Sequence, residues 1–373
     1  MPITKRVTYL SDGRELIYYD DADTALSAER KPDTRDAQPR PALPTLRQDP
    51  LTGEWISIAA ARQDRVFLPP AELDPLAPST PEHATEIPDN YDVAVFENKS
   101  PSFGPGLPAY GHDHDSDFDA AHGELTAIGL GRELPGYGRC EVICFSPQRT
   151  GSWADFSRSR ARTVVEAWAD RTAELSRLNG VQQVYVFENR GPEIGVTLHH
   201  PHGQVYAFPY VPPKTRSLLA AISHYGPGLM QDILDFERKS DRKLIETEHF
   251  TVFVPFAARW PVEVHMLARR QVPDLAATTG PERDEIAVLY PRILAALDRL
   301  YDTPTPYIAA WHQAPVHQGR ADIRLMLQVT SPRRAKDKLK YTAGSETGMG
   351  AFIGDVVPEV AAARLREVLD ELR

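Results

Sequence analysis

Cysteine is nearly absent from this chain of 373 residues: only Cys140 and Cys144 occur. They lie in Arg139-Cys140-Glu141-Val142-Ile143-Cys144-Phe145, an apolar run that reads as a strand carrying both thiols on one buried face. At that spacing they are too far apart for a disulfide, and two thiols alone do not make a zinc site. Long hydrophobic runs are missing too: no stretch approaches the roughly twenty apolar residues that cross a bilayer. Met1-Pro2-Ile3-Thr4-Lys5-Arg6 does not lead into the apolar core of a signal peptide, and the expected location is the cytoplasm. Basic residues are in deficit, 42 Lys and Arg against 52 Asp and Glu, for a formal net charge of −10. That balance argues against nucleic acid or an anionic membrane as partner, while a small phosphorylated substrate in a local basic pocket stays compatible with it.

The length exceeds what one hydrophobic core usually serves, so two domains or one fused double unit are expected. Residues 1–45 read as an extended N-terminal arm, rich in Pro, Asp and Arg from about residue 20, of the kind that wraps a partner subunit. Apolar runs bounded by turn formers predict strands at 54–58, 92–96, 140–145 and 183–187. Residues 101–138 read as a long loop, and 153–178 carry helical periodicity. After Pro212-Pro213 the pattern restarts: a helix over about 216–245, strands at 251–254 and 264–267, a helix over 281–301, strands at 307–312 and 323–329, and a last helix over 358–372. The similar order on both sides of residue 212 predicts an internal duplication, with units at 46–212 and 213–373, although the halves share little identity.

The chemistry is concentrated in Gly195-Val196-Thr197-Leu198-His199-His200-Pro201-His202-Gly203-Gln204-Val205-Tyr206. In an extended segment successive side chains alternate faces, so His200, His202 and Gln204 are expected to share one face and converge. A neutral imidazole can attack phosphorus through one nitrogen while a hydrogen bond holds the other, which is nucleophilic catalysis. Gly203 is read as leaving room for a phosphoryl group, and Pro201 as restricting the backbone between the imidazoles.

With this motif, seven stretches in order carry a resemblance. They are Asp49 to Trp55, Phe96-Glu97-Asn98-Lys99-Ser100-Pro101-Ser102-Phe103, Val142 to Pro147, Phe187-Glu188-Asn189-Arg190-Gly191, His200 to Gln204, Ala310-Trp311-His312-Gln313-Ala314-Pro315 and Lys338 to Glu346. From about Leu46 onward the chain closely resembles the galactose-1-phosphate uridylyltransferases of the histidine-triad superfamily. The resemblance implies an α+β fold of two fused histidine-triad-like units around a mixed, largely antiparallel sheet, usually a homodimer. It implies a nucleotidyltransferase of galactose metabolism that exchanges UMP between UDP-glucose and galactose 1-phosphate by a ping-pong route through a uridylyl-His202 intermediate. Gln204 then corresponds to the carboxamide that donates to phosphoryl oxygens, where hydrolytic relatives usually carry a third histidine. His200 completes the catalytic group, and Asn189, Gly195 and Thr197 match the surroundings of phosphate and nucleophile. Asn98 and Lys99 match the uridine side, Arg62 and Arg65 match basic residues that reach in from a partner subunit, and Lys340, Tyr341, Ser345 and Glu346 match the hexose segment.

The chain departs from the family where relatives bind metals. Cys-x-x-Cys is replaced by Asp74-Pro75-Leu76-Ala77 and a histidine by Arg149, so only His200 remains of the zinc ligands. Of a second iron or zinc set, one glutamate and three histidines, only His312 remains beside Leu218, Met326 and Gln328. No metal or other cofactor is therefore expected. His112, His114 and His122, interleaved with aspartates, could bind a divalent cation, but a loop of that composition is read as solvated. Two further readings stand beside the leading one: a related nucleotidyltransferase or sugar-nucleotide phosphorylase with another base or sugar, and an inactive nucleotide-binding protein. Intact His202 and Gln204 argue against the last.

Overall fold

Runs of β-branched and aromatic residues build one large sheet in the computed structural model, which describes residues 2–63, 69–104, 124–125 and 129–372. Its strands, numbered along the chain, are β1 (Thr4–Tyr9), β2 (Glu15–Asp20), β3 (Val93–Glu97), β4 (Arg139–Cys144), β5 (Gln183–Arg190), β6 (His202–Phe208), β7 (Lys243–Glu246), β8 (Phe250–Phe253), β9 (Val262–Ala268), β10 (Tyr307–His312) and β11 (Met326–Ser331). They lie in the order β1-β2-β3-β4-β6-β5-β10-β11-β9-β8-β7. Neighbouring strands run antiparallel throughout.

That order is a palindrome about the central β5/β10 pair. Taking β3 to β6 as one set and β8 to β11 as the other, each runs outward from the centre as third, fourth, second and first strand. Helix α1 (Arg158–Ser176) precedes the third strand of the first set, and α4 (Gly280–Tyr301) precedes that of the second. Between them in sequence lie α2 (Pro213–Tyr225) and α3 (Leu229–Arg238), and α5 (Gly344–Met349) and α6 (Pro358–Glu371) come after them. The duplication expected from element order is thus plain in the topology, and the fold is α+β, with two like-ordered sets of strands and helices sharing one sheet.

Local sequence starts the two equivalent helices. Ser157 accepts a hydrogen bond from the Arg160 amide at the head of α1. Thr279 and Glu282 form a capping box at the head of α4, with Pro281 in its first turn, where a missing N–H costs nothing. Both helices cover the same sheet face. Val184 and Val186 of β5, Val205 and Ala207 of β6, Ala309 and Trp311 of β10, and Leu327 and Val329 of β11 join Val164, Val165 and Trp168 of α1 and Ile286, Tyr290 and Ile293 of α4 in one core.

The opposite face carries the complementary residues. Register aligns Gln204, Phe187, Ala310, Gln328 and His265 in one row across β6, β5, β10, β11 and β9, so these side chains point the same way. Tyr185, Phe187, Tyr206 and Phe208 extend that face as half-buried rings, Tyr185 stacking on Phe187 with centroids 5.2 Å apart and Tyr206 edge-on to Phe187 at 5.0 Å.

Several expectations are corrected. Residues 4–20 are not an extended arm but the β1/β2 hairpin at one sheet edge, turning at Asp12-Gly13, where Gly13 takes φ 80°. Only 21–44 remain irregular before the strand Thr45–Gln48, which pairs with Trp55–Ile58 and Arg132–Pro135 in a small second sheet. The helix expected over about 216–245 is two helices broken at Gly226-Pro227-Gly228, with β7 after them. The long loop expected to run to 138 contains the strand Arg132–Pro135. Cys140 and Cys144 are fully buried and unbonded to each other. Burial pushes the Cys140 thiol up to about 12 and the Cys144 thiol higher still, so both stay protonated core residues. Among the described residues no helix is long and apolar enough to cross a membrane.

Candidate active site

Strand β6 begins at His202 itself. The chain before it, His200 and Pro201, is tied to β4 by the Phe145 amide, which donates to the Pro201 carbonyl at 3.0 Å. His202 Nδ1 lies 2.7 Å from the backbone carbonyl of His200. A carbonyl can only accept, so the proton of this ring sits on Nδ1 and the lone pair on Nε2. Gln204 comes two residues later and shares the face of His202. Asn189, two residues beyond Phe187 on β5, lies on that face as well, because Phe187 pairs with Gln204.

A cavity of about 320 Å³ opens at this end of the sheet. His202, His200, His199, Asn189, Glu193, Val196 and Leu198 line it from the first unit, and Pro304 to Tyr307 line it from the second. Gly195, at φ 83°, ends the short 3-10 turn Pro192–Ile194 and sends the chain on past Val196 and Leu198. Thr197 lies between those two lining residues. The Asn189 Oδ1 and Gln204 Oε1 atoms are buried with no hydrogen-bond partner. An orphaned buried amide oxygen costs roughly 1–3 kcal/mol, and a ligand that supplied a donor would recover it.

His200 does not converge on this face. Its Nδ1 lies 2.7 Å from Asp74 Oδ2, and its Nε2 lies 2.7 Å from the Ser146 carbonyl and 2.9 Å from the Tyr91 hydroxyl. The carboxylate accepts from Nδ1, and Nε2 is held between the Ser146 carbonyl and the Tyr91 hydroxyl. Burial raises the Asp74 carboxyl, but the bond from His200 and the charge of its ring outweigh that and leave it below the ordinary value. Gly203 is also placed otherwise than expected. Its Cα faces the helix side, where an added Cβ would come within 2.8 Å of the Phe145 ring and 2.9 Å of the Phe187 carbonyl oxygen. The glycine makes room for the core, not for phosphate.

The other described residues singled out by resemblance are not among those that line this cavity. Arg62 donates to the Ser100 carbonyl at 3.2 Å. Asn98 and Lys99 border a small hollow with Arg14, Arg40 and Glu97. Lys340 and Tyr341 line another with Glu193 and Trp260. Lys340 is buried and paired with Glu346 at 3.2 Å, while Ser345 donates to the Ala351 carbonyl at 2.8 Å. Arg65 and the group His112, His114 and His122 lie outside the described residues.

The place where relatives would bind zinc holds Asp74, Ala77, Arg149 and His200. Ala77 offers no ligand atom, Arg149 is cationic, and both nitrogens of His200 face protein oxygens, so these residues do not fit a zinc ion. At the second place Leu218 and Met326 pack against Met230, Leu234, Phe253 and Leu267. His312 Nε2 lies 2.9 Å from Gln328 Oε1, which also accepts from the Lys214 ammonium at 2.5 Å, while Gln328 Nε2 donates to Glu263 at 2.6 Å. That set does not fit a metal either.

Two features have no local trace in the motif. One is the Asp74 to His200 bond, whose partners are 126 residues apart. The other is Glu188, buried in the cavity wall and accepting from Trp153 Nε1 at 2.7 Å, Tyr290 at 2.7 Å and Tyr307 at 2.6 Å. Burial pushes its carboxyl up against those three bonds. Its place in Phe187-Glu188-Asn189, a charged residue at an inward position of an alternating strand, was the available signal.

A histidine that lines a cavity and turns Nδ1 to a backbone carbonyl, in a doubled α+β fold, fits the class of nucleotidyl-transferring enzymes. Comparison with known proteins carries this further. Models of the N-terminal and C-terminal domains of galactose-1-phosphate uridyl transferase match residues 33–212 and 217–372. The galactose-1-phosphate uridylyltransferase of Streptomyces lividans is 39% identical over 98% of both chains, and that of Thermotoga maritima is 34% identical over 88% of this chain and 99% of its own. A solved uridylyltransferase structure superposes with a TM-score of 0.76 at 29% identity, covering 88% of this chain and 99% of that one. The chain belongs to the galactose-1-phosphate uridylyltransferase family.

Proposed function

We propose that His202 is the nucleophile of a ping-pong exchange of UMP between UDP-glucose and galactose 1-phosphate. The observation that carries this is the 2.7 Å bond from His202 Nδ1 to the His200 carbonyl, which leaves the lone pair on Nε2. Nε2 attacks the α-phosphorus of UDP-glucose, the bond to the bridging oxygen breaks, and glucose 1-phosphate leaves. The ring gains a positive charge as the N–P bond forms, and the carbonyl on Nδ1 stabilises it at that moment, when it lowers the barrier most. A phosphate oxygen of galactose 1-phosphate then attacks the same phosphorus, releasing UDP-galactose and the neutral histidine. Gln204 turns its amide to the phosphoryl oxygens, and Asn189, Gly195 and Thr197 shape the pocket around them.

In the same reading the enzyme is a cytoplasmic homodimer that works without a metal at the two places where relatives bind one. The half-buried aromatic face of Tyr185, Phe187, Tyr206 and Phe208 supports pairing with a second copy. So does the position of Arg62 away from its own chain's cavity, since Arg62 and Arg65 then serve the partner's site. Lys340, Tyr341, Ser345 and Glu346 belong to the hexose segment, and Asn98 and Lys99 to the uridine side.

Mass spectrometry of the intact protein after brief incubation with UDP-glucose tests the reading. The expected result is one added UMP on His202, removed by galactose 1-phosphate. Absence of the adduct, or its formation in His202→Asn, rejects the nucleophile. An adduct that only another sugar phosphate discharges points to the related-transferase reading.

A further inference from the structure

We propose that Asp74 is a positioning residue for the nucleophile: its carboxylate fixes the ring of His200, and the His200 carbonyl in turn fixes the tautomer and direction of His202. The inference rests on His202 being the nucleophile.

The carboxylate of Asp74 is buried and has two tasks. Oδ1 accepts from the Leu76 amide at 2.9 Å, closing a turn on its own chain, and Oδ2 accepts from His200 Nδ1 at 2.7 Å. The turn is itself braced, because the Tyr91 hydroxyl lies 2.7 Å from the Leu76 carbonyl and 2.9 Å from His200 Nε2. The His200 ring is therefore gripped at both nitrogens by groups from three separate segments, around Asp74, Tyr91 and Ser146. It is 3% exposed.

A fixed ring matters here because His200 immediately precedes Pro201. Proline confines the backbone of the residue before it to extended conformations, and Pro201 has its own φ restricted. With the Pro201 carbonyl bonded to Phe145 N–H, the main remaining freedom of the His200 carbonyl is rotation about the His200 backbone, and the gripped side chain removes it. That carbonyl is the partner of His202 Nδ1. The path from Asp74 to the nucleophile thus runs through two 2.7 Å bonds and one residue of restrained backbone. The grip aims Nε2 before any substrate arrives, so the orientation entropy is lost on folding and not in the reaction.

Asp74→Ser and Asp74→Asn separate this role from mere stability. Serine keeps an acceptor for the Leu76 amide and is too short to reach His200. Asparagine can accept from Leu76 through its oxygen and donate from its nitrogen to a His200 ring that carries its proton on Nε2, so the grip survives. The rate of His202 uridylylation by UDP-glucose, measured in a single turnover, should fall roughly 10–100-fold in Asp74→Ser. The KM for UDP-glucose should change less than about threefold, the pattern of a residue acting in the transition state. Asp74→Asn should recover most of the rate. A folded Asp74→Ser enzyme that uridylylates His202 within about twofold of the wild-type rate, or equal losses in both variants, overturns the proposal. No His202 adduct in the wild type overturns the nucleophile reading instead. Should Asp74→Ser fail to fold, ¹⁵N spectra of the histidine-labelled wild type decide: a His202 proton on Nδ1 supports the grip, and the Nε2–H tautomer overturns it.

Discussion

The hydroxyl of Tyr307, on β10, the central strand of the second unit, donates to Glu188 Oε1 on β5, the strand before the motif of the first unit, at 2.6 Å. This bond crosses the β5/β10 seam at the cavity wall and joins the two copies of the fold through a buried carboxylate.

Tyr307→Phe should therefore lower stability by roughly 1–3 kcal/mol, the worth of a hydrogen bond to a charged acceptor. Glu188→Ala leaves Trp153, Tyr290 and Tyr307 with buried donors and should cost about 3 kcal/mol or more. Urea unfolding checks both, with the midpoint falling at unchanged slope. Equal midpoints in wild type and Tyr307→Phe would show that the seam does not depend on this bond.

In the proposed reaction Gln204 donates to charge that develops on the phosphoryl oxygens. Its replacement by alanine should lower kcat by two to three orders of magnitude, the range seen for one lost donor of this kind, roughly 100–1000-fold. His202→Asn should retain the melting temperature and lose transfer altogether. A Gln204→Ala enzyme with unaltered kcat would assign the residue to packing.

Gly203→Ala distinguishes the two meanings of this glycine. Because the new methyl would meet Phe145 at 2.8 Å and Phe187 O at 2.9 Å on the core side, the expected effect is a loss of about 1–3 kcal/mol of stability through overpacking. Thermal melting reads it directly. A raised KM at unchanged melting temperature would instead place the methyl among the phosphates.

Acid should weaken the second unit. Burial of the half-buried His312 ring, with the Lys214 ammonium close by, holds its pKa down to about 3. Burial raises Glu263, but the bond from His265 and the charge of that ring outweigh it, leaving about 2. Both folded values lie below the unfolded ones of 6.5 and 4.5, so the unfolded chain takes up these protons first. Their contribution is complete above pH 6.5, shrinks as pH falls toward 3 for His312, and shrinks between 4.5 and 2 for Glu263. Melting temperatures from pH 8 to pH 4 should decline below about 6.5, by up to roughly 1.4 kcal/mol per pH unit for one proton. His312→Gln should flatten the upper part of that decline.

Protein purified without chelators should contain far less than one zinc or iron per chain, and dialysis against EDTA should leave transfer unchanged. Stoichiometric zinc would reverse the reading of Asp74, Ala77, Arg149 and His200.

What was legible in the sequence was local. Alternation along Gln183 to Phe187 and His202 to Phe208 predicts strands because its period is two, and capping at Thr279 and Glu282 predicts where a helix begins because the donors lie within one turn. The β1/β2 hairpin and the break at Gly226-Pro227-Gly228 also had local signals, Asp12-Gly13 between alternating runs and two glycines around a proline, which the Pro-rich stretch after residue 20 and the overall helical composition obscured. The motif His200 to Gln204, with its ordered companions, was enough to place the chain in its family.

Tertiary structure decided which face of β6 meets the helices, and with it the meaning of Gly203. A strand's pattern shows that two faces differ but not what covers each, since the covering helices come from Arg158–Ser176 and Gly280–Tyr301, one of them in the other unit. It likewise decided that His200 turns to Asp74 and away from Gln204, because a bond between residues 126 positions apart leaves no periodic trace. The order of residue types along the chain settled which side chains could do the chemistry. Folding decided which of them are aimed at it, because aim depends on hydrogen bonds that only a closed chain can form.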